Sequence, residues 1–437
     1  MKILIKNARL IDPAAGVDGL ASLLVENGKV IEVALGAKTN IDAAGAEVVD
    51  ASGLWLIPGL VDMHVHLREP GQEGKETLVS GTRAAAAGGV TSLVAMPNTV
   101  PATDSVPILE WVKAKAKAEG LVNVYPSAAV TIGRAGAELT EIGELAKAGA
   151  VMLTDDGDPV MNAELMRRAL EYASMFGLMI MQHCEDKALS GGGVMNEGAV
   201  ATRLGLRGIP KTAESVMVAR DILLAEATNG RVHMGHLSGA AGVDQVRAAK
   251  KRGLKNVSCE TAPHYFTLSD EWIGSHDYDS SGKMNPPLGS GVDRSAVIEG
   301  LCDGTIDAIA TDHAPHSTLD KNVEFDKAAF GIVGLETCLA LTLTELVHKK
   351  VVSPTRAVEL LSSNPASLLG LKGKGTLKVG SDADLCLVDP DAEWTVDREK
   401  FLSKGRNTPF HGMKLRGRVA KTMVNGRFVY DFEKGIL

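Results

Sequence analysis

From Pro58 to about residue 370 the chain repeats one unit: a short apolar run of strand length, then a longer stretch whose apolar residues recur at helical spacing. The strand-like runs are GLVDMHVH (59–66), TSLVAMPN (91–98), VNVYPSAAV (122–130), AVMLTDD (150–156), LMIMQHCED (178–186), RVHMGHLS (231–238), VSCETAPHYF (257–266) and DAIATDHAPH (307–316). Amphipathic stretches such as SVPILEWVKAKAKAEG and NAELMRRALEYASMFG lie between them. Strands that alternate with helices form parallel sheets, and eight such units predict an α/β fold, a closed (β/α)8 TIM-like barrel over residues 58–370. No GxGxxG follows the early strands, which argues against the dinucleotide-binding open sheet.

The two ends have a different texture. Residues 1–57 hold alternating segments, KILIKNARLID, ASLLVENGKVIEVA and AEVVDASGLWLIP, with a hairpin signal at Glu26-Asn27-Gly28-Lys29. Residues 371–437 return to strand-like runs in GTLKVGSDADLCLVDP, EWTVD and GRVAKTMVNGRFVYD. Neither end is long enough to bury a core alone, so both are expected to join in one small composite β domain.

Composition narrows the function. A formal net charge of -8, with no dense basic run and no interleaved aromatics, excludes a nucleic-acid footprint. Lys113, Lys115 and Lys117 read as a solvated helix face. No apolar run reaches membrane-spanning length and the N-terminus lacks the apolar core of a signal peptide, so a cytoplasmic protein is expected. The five cysteines are odd in number, scattered and without CxxC spacing, which leaves nitrogen and oxygen as the ligands of any metal.

In a parallel barrel the active site lies at the carboxyl ends of the strands. There this chain places His64 and His66, Asp155 and Asp156, His183, His236 and Asp312, at the ends of otherwise apolar runs. Burying so many imidazoles and carboxylates without partners would be costly, and a divalent ion compensates them. Other polar residues take plainer readings. His233 is out of phase with His236 and packs, His264 ends strand seven, and His313 lies on the strand face opposite Asp312. His276, His348 and His411 are surface residues, and Cys184 is small and buried. Asp155 caps a helix or supports Asp156, and Asp62, on the His64 face of an alternating strand, is a partner for a ligating imidazole.

In PGLVDMHVHLREPGQEGKET, AAAAGGVTSLVAMPNT, TDDGDPV, QHCED, GGGVMNEG, GHLS, MNPPL, ATDHAPH and FGIVGLET the sequence resembles the cyclic-amide hydrolases of the amidohydrolase superfamily, and most of all the class I dihydroorotases, and the resemblance covers essentially the whole chain. The resemblance implies one or two Zn2+ ions: His64, His66 and Asp312 on one, His183 and His236 on the other, and Asp156 as the bridge where many relatives use a carboxylated lysine. It also implies substrate contacts at His66, Arg68, Asn98, Asn285, His316, Phe330 and Gly331, with metal-activated water as nucleophile and Asp312 as general base and then acid. The reaction so implied is the reversible hydrolysis of (S)-dihydroorotate to N-carbamoyl-L-aspartate in pyrimidine biosynthesis. The family usually has arginine after NPPL, where this chain has Gly289. A homodimer is implied, with aspartate carbamoyltransferase as a further partner.

Two alternatives stand beside this reading. An allantoinase- or dihydropyrimidinase-type hydrolase shares the barrel and the HxH start, but MPNT, MNPPL, ATDHAPH and the absence of a strand-four lysine favour dihydroorotase. A catalytically silent dihydroorotase-like subunit that only scaffolds aspartate carbamoyltransferase would be expected to lack metal ligands, and here all six are present; a weakly active subunit, more active when that partner orders its loops, stays open.

Overall fold

A computed structural model describes residues 2–36 and 41–437; residue 1 and residues 37–40 of the N-terminal segment lie outside the described residues. Eight parallel strands, Leu60–Val65, Val90–Ala95, Asn123–Pro126, Leu153–Thr154, Met179–Gln182, Arg231–Met234, Val257–Thr261 and Ala308–Ile309, follow one another around a barrel. The first three pair in sequence, as do the last five, and parallel bridges Ala128–Leu153 and Val65–His313 close the two gaps. The barrel expected from the strand–helix alternation is therefore present.

Most strands are shorter than their apolar runs, because the chain leaves the sheet just where the polar residues begin. Strand seven departs furthest from expectation: it ends at Thr261, and Pro263 opens a helix, Pro263–Thr267, where proline's missing N–H costs nothing. His264 thus sits on a helix and not at a strand tip. The first strand also breaks its alternation, with register shifts at Leu60/Val61 and between Asp62 and Val65. Val61 and Met63 join Val94, Met152, Met179 and Met181 in one buried cluster, where unbranched methionines fill irregular space.

The two ends of the chain do form one sheet. Trp55–Pro58 pairs antiparallel with Leu385–Thr395, Leu385 opposite Pro58 and Val388 opposite Trp55, within a nine-stranded sheet. Its buried face is made by residues from both ends, including Ile3, Ile5, Leu23, Leu56, Leu385 and Leu387. Asn27 and Gly28 both take positive φ, 50° and 79°, as the tight hairpin predicted there requires. Asp12 fastens the ends together, accepting from Thr376 Oγ1 at 2.9 Å and the Leu377 amide at 2.7 Å. Among the described residues no helix is long and apolar enough to cross a membrane.

The barrel's first helix, Leu78–Ala87, closes against the segment that leads into the helix Cys338–Thr342 with no room to spare. A Cβ on Gly88 would collide with the Leu335 carbonyl oxygen, a backbone atom that cannot swing away. Gly88→Ala should therefore destabilise the fold by about 1–3 kcal/mol, measured as a lower urea midpoint; an unchanged midpoint would show that this seam is loose.

Candidate metal centre

Five strand ends bring His64, His66, Asp156, His183, His236 and Asp312 into one volume, each at most 4% exposed. His64 Nε2 and His66 Nε2 lie 3.3 and 3.4 Å from Asp156 Oδ2, and 3.4 and 3.1 Å from Asp312 Oδ1. Four donors held about 2.0 Å from one ion at tetrahedral angles would stand about 3.3 Å apart, which is the spacing found. On the other side of Asp156, its Oδ1 lies 3.5 Å from His183 Nδ1 and 3.3 Å from His236 Nε2, and these two nitrogens are 2.8 Å apart. The two carboxylate oxygens of Asp156 thus belong to different donor sets. His64 Nε2 has no hydrogen-bond partner although two carboxylates are close, so these atoms aim at a shared point rather than at one another. A divalent ion fits this donor set.

Three of the four imidazoles are turned by a partner on the far side, whereas His236 Nδ1 has none. His64 Nδ1 donates to Glu260 Oε1 at 2.7 Å, His183 Nε2 to Glu185 Oε2 at 3.1 Å, and His66 Nδ1 to Asn98 Oδ1 at 2.9 Å. Such contacts fix which ring nitrogen is free to ligate. The sequence reading missed both glutamates and chose Asp62 instead. Asp62 reaches no ring nitrogen: its Oδ1 accepts the backbone N–H groups of His64 and Thr311, both at 3.1 Å, because the strand bulge breaks the alternation. Glu260 sits at a strand end, so the rule that found the ligands could have found it; Glu185 lies two residues beyond His183.

The remaining polar residues are structural. Asp155 accepts the amides of Val130 and Thr131 at 2.8 and 3.1 Å and the Thr131 hydroxyl, pinning the loop after the third strand. His233 is buried and bonded to Ser258 Oγ at 2.8 Å. His313 turns away from Asp312 toward Glu76 Oε2 at 3.2 Å. The buried Cys184 thiol lies 3.6 Å from Met234 Sδ, and burial pushes its pKa well up, so it supplies no thiolate. His276 and His411 are exposed, and His348 is half-buried with Nε2 on Pro390 O at 2.8 Å.

Charge is balanced inside the cluster. Burial opposes ionisation of Asp156 and Asp312, but the surrounding imidazoles outweigh it and hold both carboxyls well below the usual range. Burial likewise opposes charge on His183, yet Asp156 and Glu185 carry it up to about 9. Backbone strain gathers at the same place: Arg68, His236 and Asp312 adopt left-handed φ of 61°, 36° and 45°, costly for residues with a Cβ and frequent at functional sites.

A cavity of about 470 Å³ connects the cluster with Arg68, Asn98, Asn285, His316, Phe330 and Gly331. Arg68 is buried and donates from Nε to Pro315 O at 3.2 Å, with Nη2 3.3 Å from His316 Nε2. Burial and the cations Arg68, Lys75 and Lys321 push His316 down to about 2, so its ring is neutral beside the guanidinium. Asn285 Nδ2 donates to Glu185 Oε2 at 3.0 Å, at the far end of the cavity. At Gly289 a Cβ would lie 2.8 Å from Asp293 Cβ, and Asp293 is paired with Lys211.

A sequence family described as Dihydro-orotase-like matches residues 53–241, and one described as Amidohydrolase family matches residues 203–430. A dihydroorotase from Pelotomaculum thermopropionicum is 54% identical over 429 residues, 98% of each chain. The chain belongs to the dihydroorotase-like family. A dihydroorotase from Geobacter metallireducens is 52% identical over 98% of this chain and 100% of its own. Among solved structures, the L-hydantoinase (dihydropyrimidinase) from Arthrobacter aurescens superposes with a TM-score of 0.87 at 28% identity, covering 100% of this chain and 97% of that one. As a member of this family the chain is a hydrolase. Within the family fold, Glu260→Gln should leave the protein folded but weaken divalent-metal binding about 10–100-fold, read by competition with a chromogenic chelator; wild-type affinity would deny Glu260 a part in orienting His64.

Proposed function

We propose that this chain hydrolyses the ring amide of dihydroorotate, reversibly giving N-carbamoyl-L-aspartate. The observation that carries this reading is a buried guanidinium in the same cavity as the His/Asp cluster. The hydrogen bonds of Arg68 go to a carbonyl and a neutral imidazole, and a buried cation with neutral partners favours an anionic ligand. Dihydroorotate carries a carboxylate, whereas dihydrouracil and allantoin carry none. The names of the relatives at 50–54% identity support the same choice.

In this reading His64, His66 and Asp312 would hold one divalent ion and His183 and His236 a second, with one oxygen of Asp156 on each side. An all-nitrogen-and-oxygen donor set at tetrahedral spacing suits zinc. A divalent ion there supplies Lewis acidity, polarising a carbonyl and making water a nucleophile at neutral pH. Arg68 grips the substrate carboxylate. Asn98, whose Oδ1 is engaged by His66, keeps its amide N–H groups for the same anion. His316 completes that end, and Phe330 and Gly331 form the wall beside the ring; a Cβ at Gly331 would stand 2.8 Å from His316 Cδ2, so only glycine leaves this space. Asp312, kept ionised by its imidazole neighbours, accepts the proton of the attacking water and passes it to the departing ring nitrogen.

A spectrophotometric comparison of dihydroorotate, allantoin and dihydrouracil tests the substrate: dihydroorotate should be turned over at least about 100-fold more efficiently, and preference for an uncharged ring would overturn the reading. Chelation should abolish turnover and zinc restore it. Arg68→Met should raise KM for dihydroorotate about 10–100-fold, the worth of a charge-assisted hydrogen bond, with a smaller effect on kcat. Asp312→Asn should lower kcat about 10²–10⁴-fold with the far-ultraviolet dichroism unchanged; retained kcat would remove Asp312 from proton transfer.

A further inference from the structure

We propose that Lys321 and Asn407 are positioning residues that lock the Phe330–Gly331 strap to the anion-binding end of the cavity. This rests on the dihydroorotate reading above. Lys321 ends the short helix Thr318–Lys321 and is 7% exposed, yet its ammonium meets carbonyls only: Ala329 O at 2.8 Å, Gly331 O at 3.0 Å and Lys283 O at 3.3 Å. Burying an ammonium among neutral acceptors is a poor way to gain stability, since an apolar side chain would fill the space without losing hydration. It is a good way to hold three separate carbonyls at fixed distances.

Asn407 comes from the C-terminal segment and works on the same strap from the opposite side. Its Oδ1 accepts the His316 amide at 3.0 Å, and its Nδ2 donates to Ala314 O at 2.9 Å and Gly331 O at 3.0 Å. Its own carbonyl accepts the Val333 amide at 2.9 Å. The Gly331 carbonyl therefore receives both Lys321 and Asn407, while the Gly331 amide donates to Lys283 O at 2.9 Å. Both backbone groups of Gly331 are therefore engaged, so this residue lines the cavity by its bare Cα and not by free backbone groups. Lys283 completes the strap from behind, its Nζ 4.5 Å from the centre of the Phe330 ring and bonded to Asp326 O at 3.0 Å.

The consequence is a rigid link between two substrate contacts that stand side by side in the cavity wall but come from separate segments of the chain. His316 touches Arg68 at the anion end and Gly331 walls the ring, and one amide side chain joins them. None of these hydrogen bonds reaches the six residues of the cluster, so loosening the strap should disturb binding and leave metal in place. Displacements of about 1 Å at such contacts are enough to cost about 10²-fold.

Lys321→Met, Asn407→Asp and the double variant test this. Asn407→Asp keeps the shape and the acceptor but loses both donors, so it carries the test if Lys321→Met does not fold. Hydrogen exchange of the peptide spanning 329–333 should accelerate at least about tenfold in each variant, whatever the substrate; unchanged exchange overturns the proposal. With wild type as control, KM for dihydroorotate should rise at least about tenfold in each single variant, with kcat within about threefold and wild-type zinc content. Because both side chains act on one carbonyl, the double variant should fall short of the product of the single effects. Equal losses of kcat and zinc would make these residues general scaffold and sink the proposal. Failure of wild type to turn over dihydroorotate would instead sink the functional reading, leaving the exchange result to judge the strap.

Discussion

Everything at the barrel mouth depends on the two oxygens of one buried carboxylate. Asp156 stands between His64 and His66 on one side and His183 and His236 on the other, with all five side chains out of water. A carboxylate in that position is tolerable only if positive charge surrounds it, and imidazoles in that position are useful only if their free nitrogens face inward. Glu260, Glu185 and Asn98 secure the second condition for His64, His183 and His66 by taking their outer nitrogens. The left-handed backbone at His236 and Asp312 belongs to the same arrangement, since an ordinary strand end would not turn their side chains toward a common point.

The cavity has two ends of different character. At one, acidic oxygens and imidazoles converge; at the other, Arg68 lies buried beside a neutral His316. The fold alone does not choose a substrate, because a hydantoinase and a dihydropyrimidinase superpose on 100% and 98% of the chain at 28% and 25% identity. The choice comes from the buried cation, and from the hydrogen-bonded strap that keeps its neighbours in place. The C-terminal segment takes part through Asn407, so the composite sheet and the barrel are joined at the site as well as through their packed faces.

Much of this was legible in the chain. Apolar runs ending in polar residues gave the barrel and, through the strand-end rule, all six members of the cluster, because one geometric principle serves both. Strand limits were less legible: Pro263 starts a helix inside an apolar run, and His264 moves off the sheet with it. Asp62 misled because period-two reasoning assumes an unbroken pleat, and a bulge is invisible to it. Glu260 lay within reach of the same strand-end rule, whereas Glu185 had no pattern of its own, since a carboxylate that orients an imidazole need only be near in space. Asn407 and Lys321 were beyond sequence reasoning altogether: each bonds to backbone carbonyls, which every residue has, so nothing in the letters marks their partners.

X-ray absorption at the zinc edge of the zinc-loaded protein measures the central claim directly. The account predicts a first shell of nitrogen and oxygen alone at about 2.0–2.1 Å, with imidazole scattering that diminishes when His183 or His236 is replaced. A sulfur shell near about 2.3 Å, or imidazole scattering indifferent to those replacements, would show that the strand-end histidines and Asp156 do not share the ion.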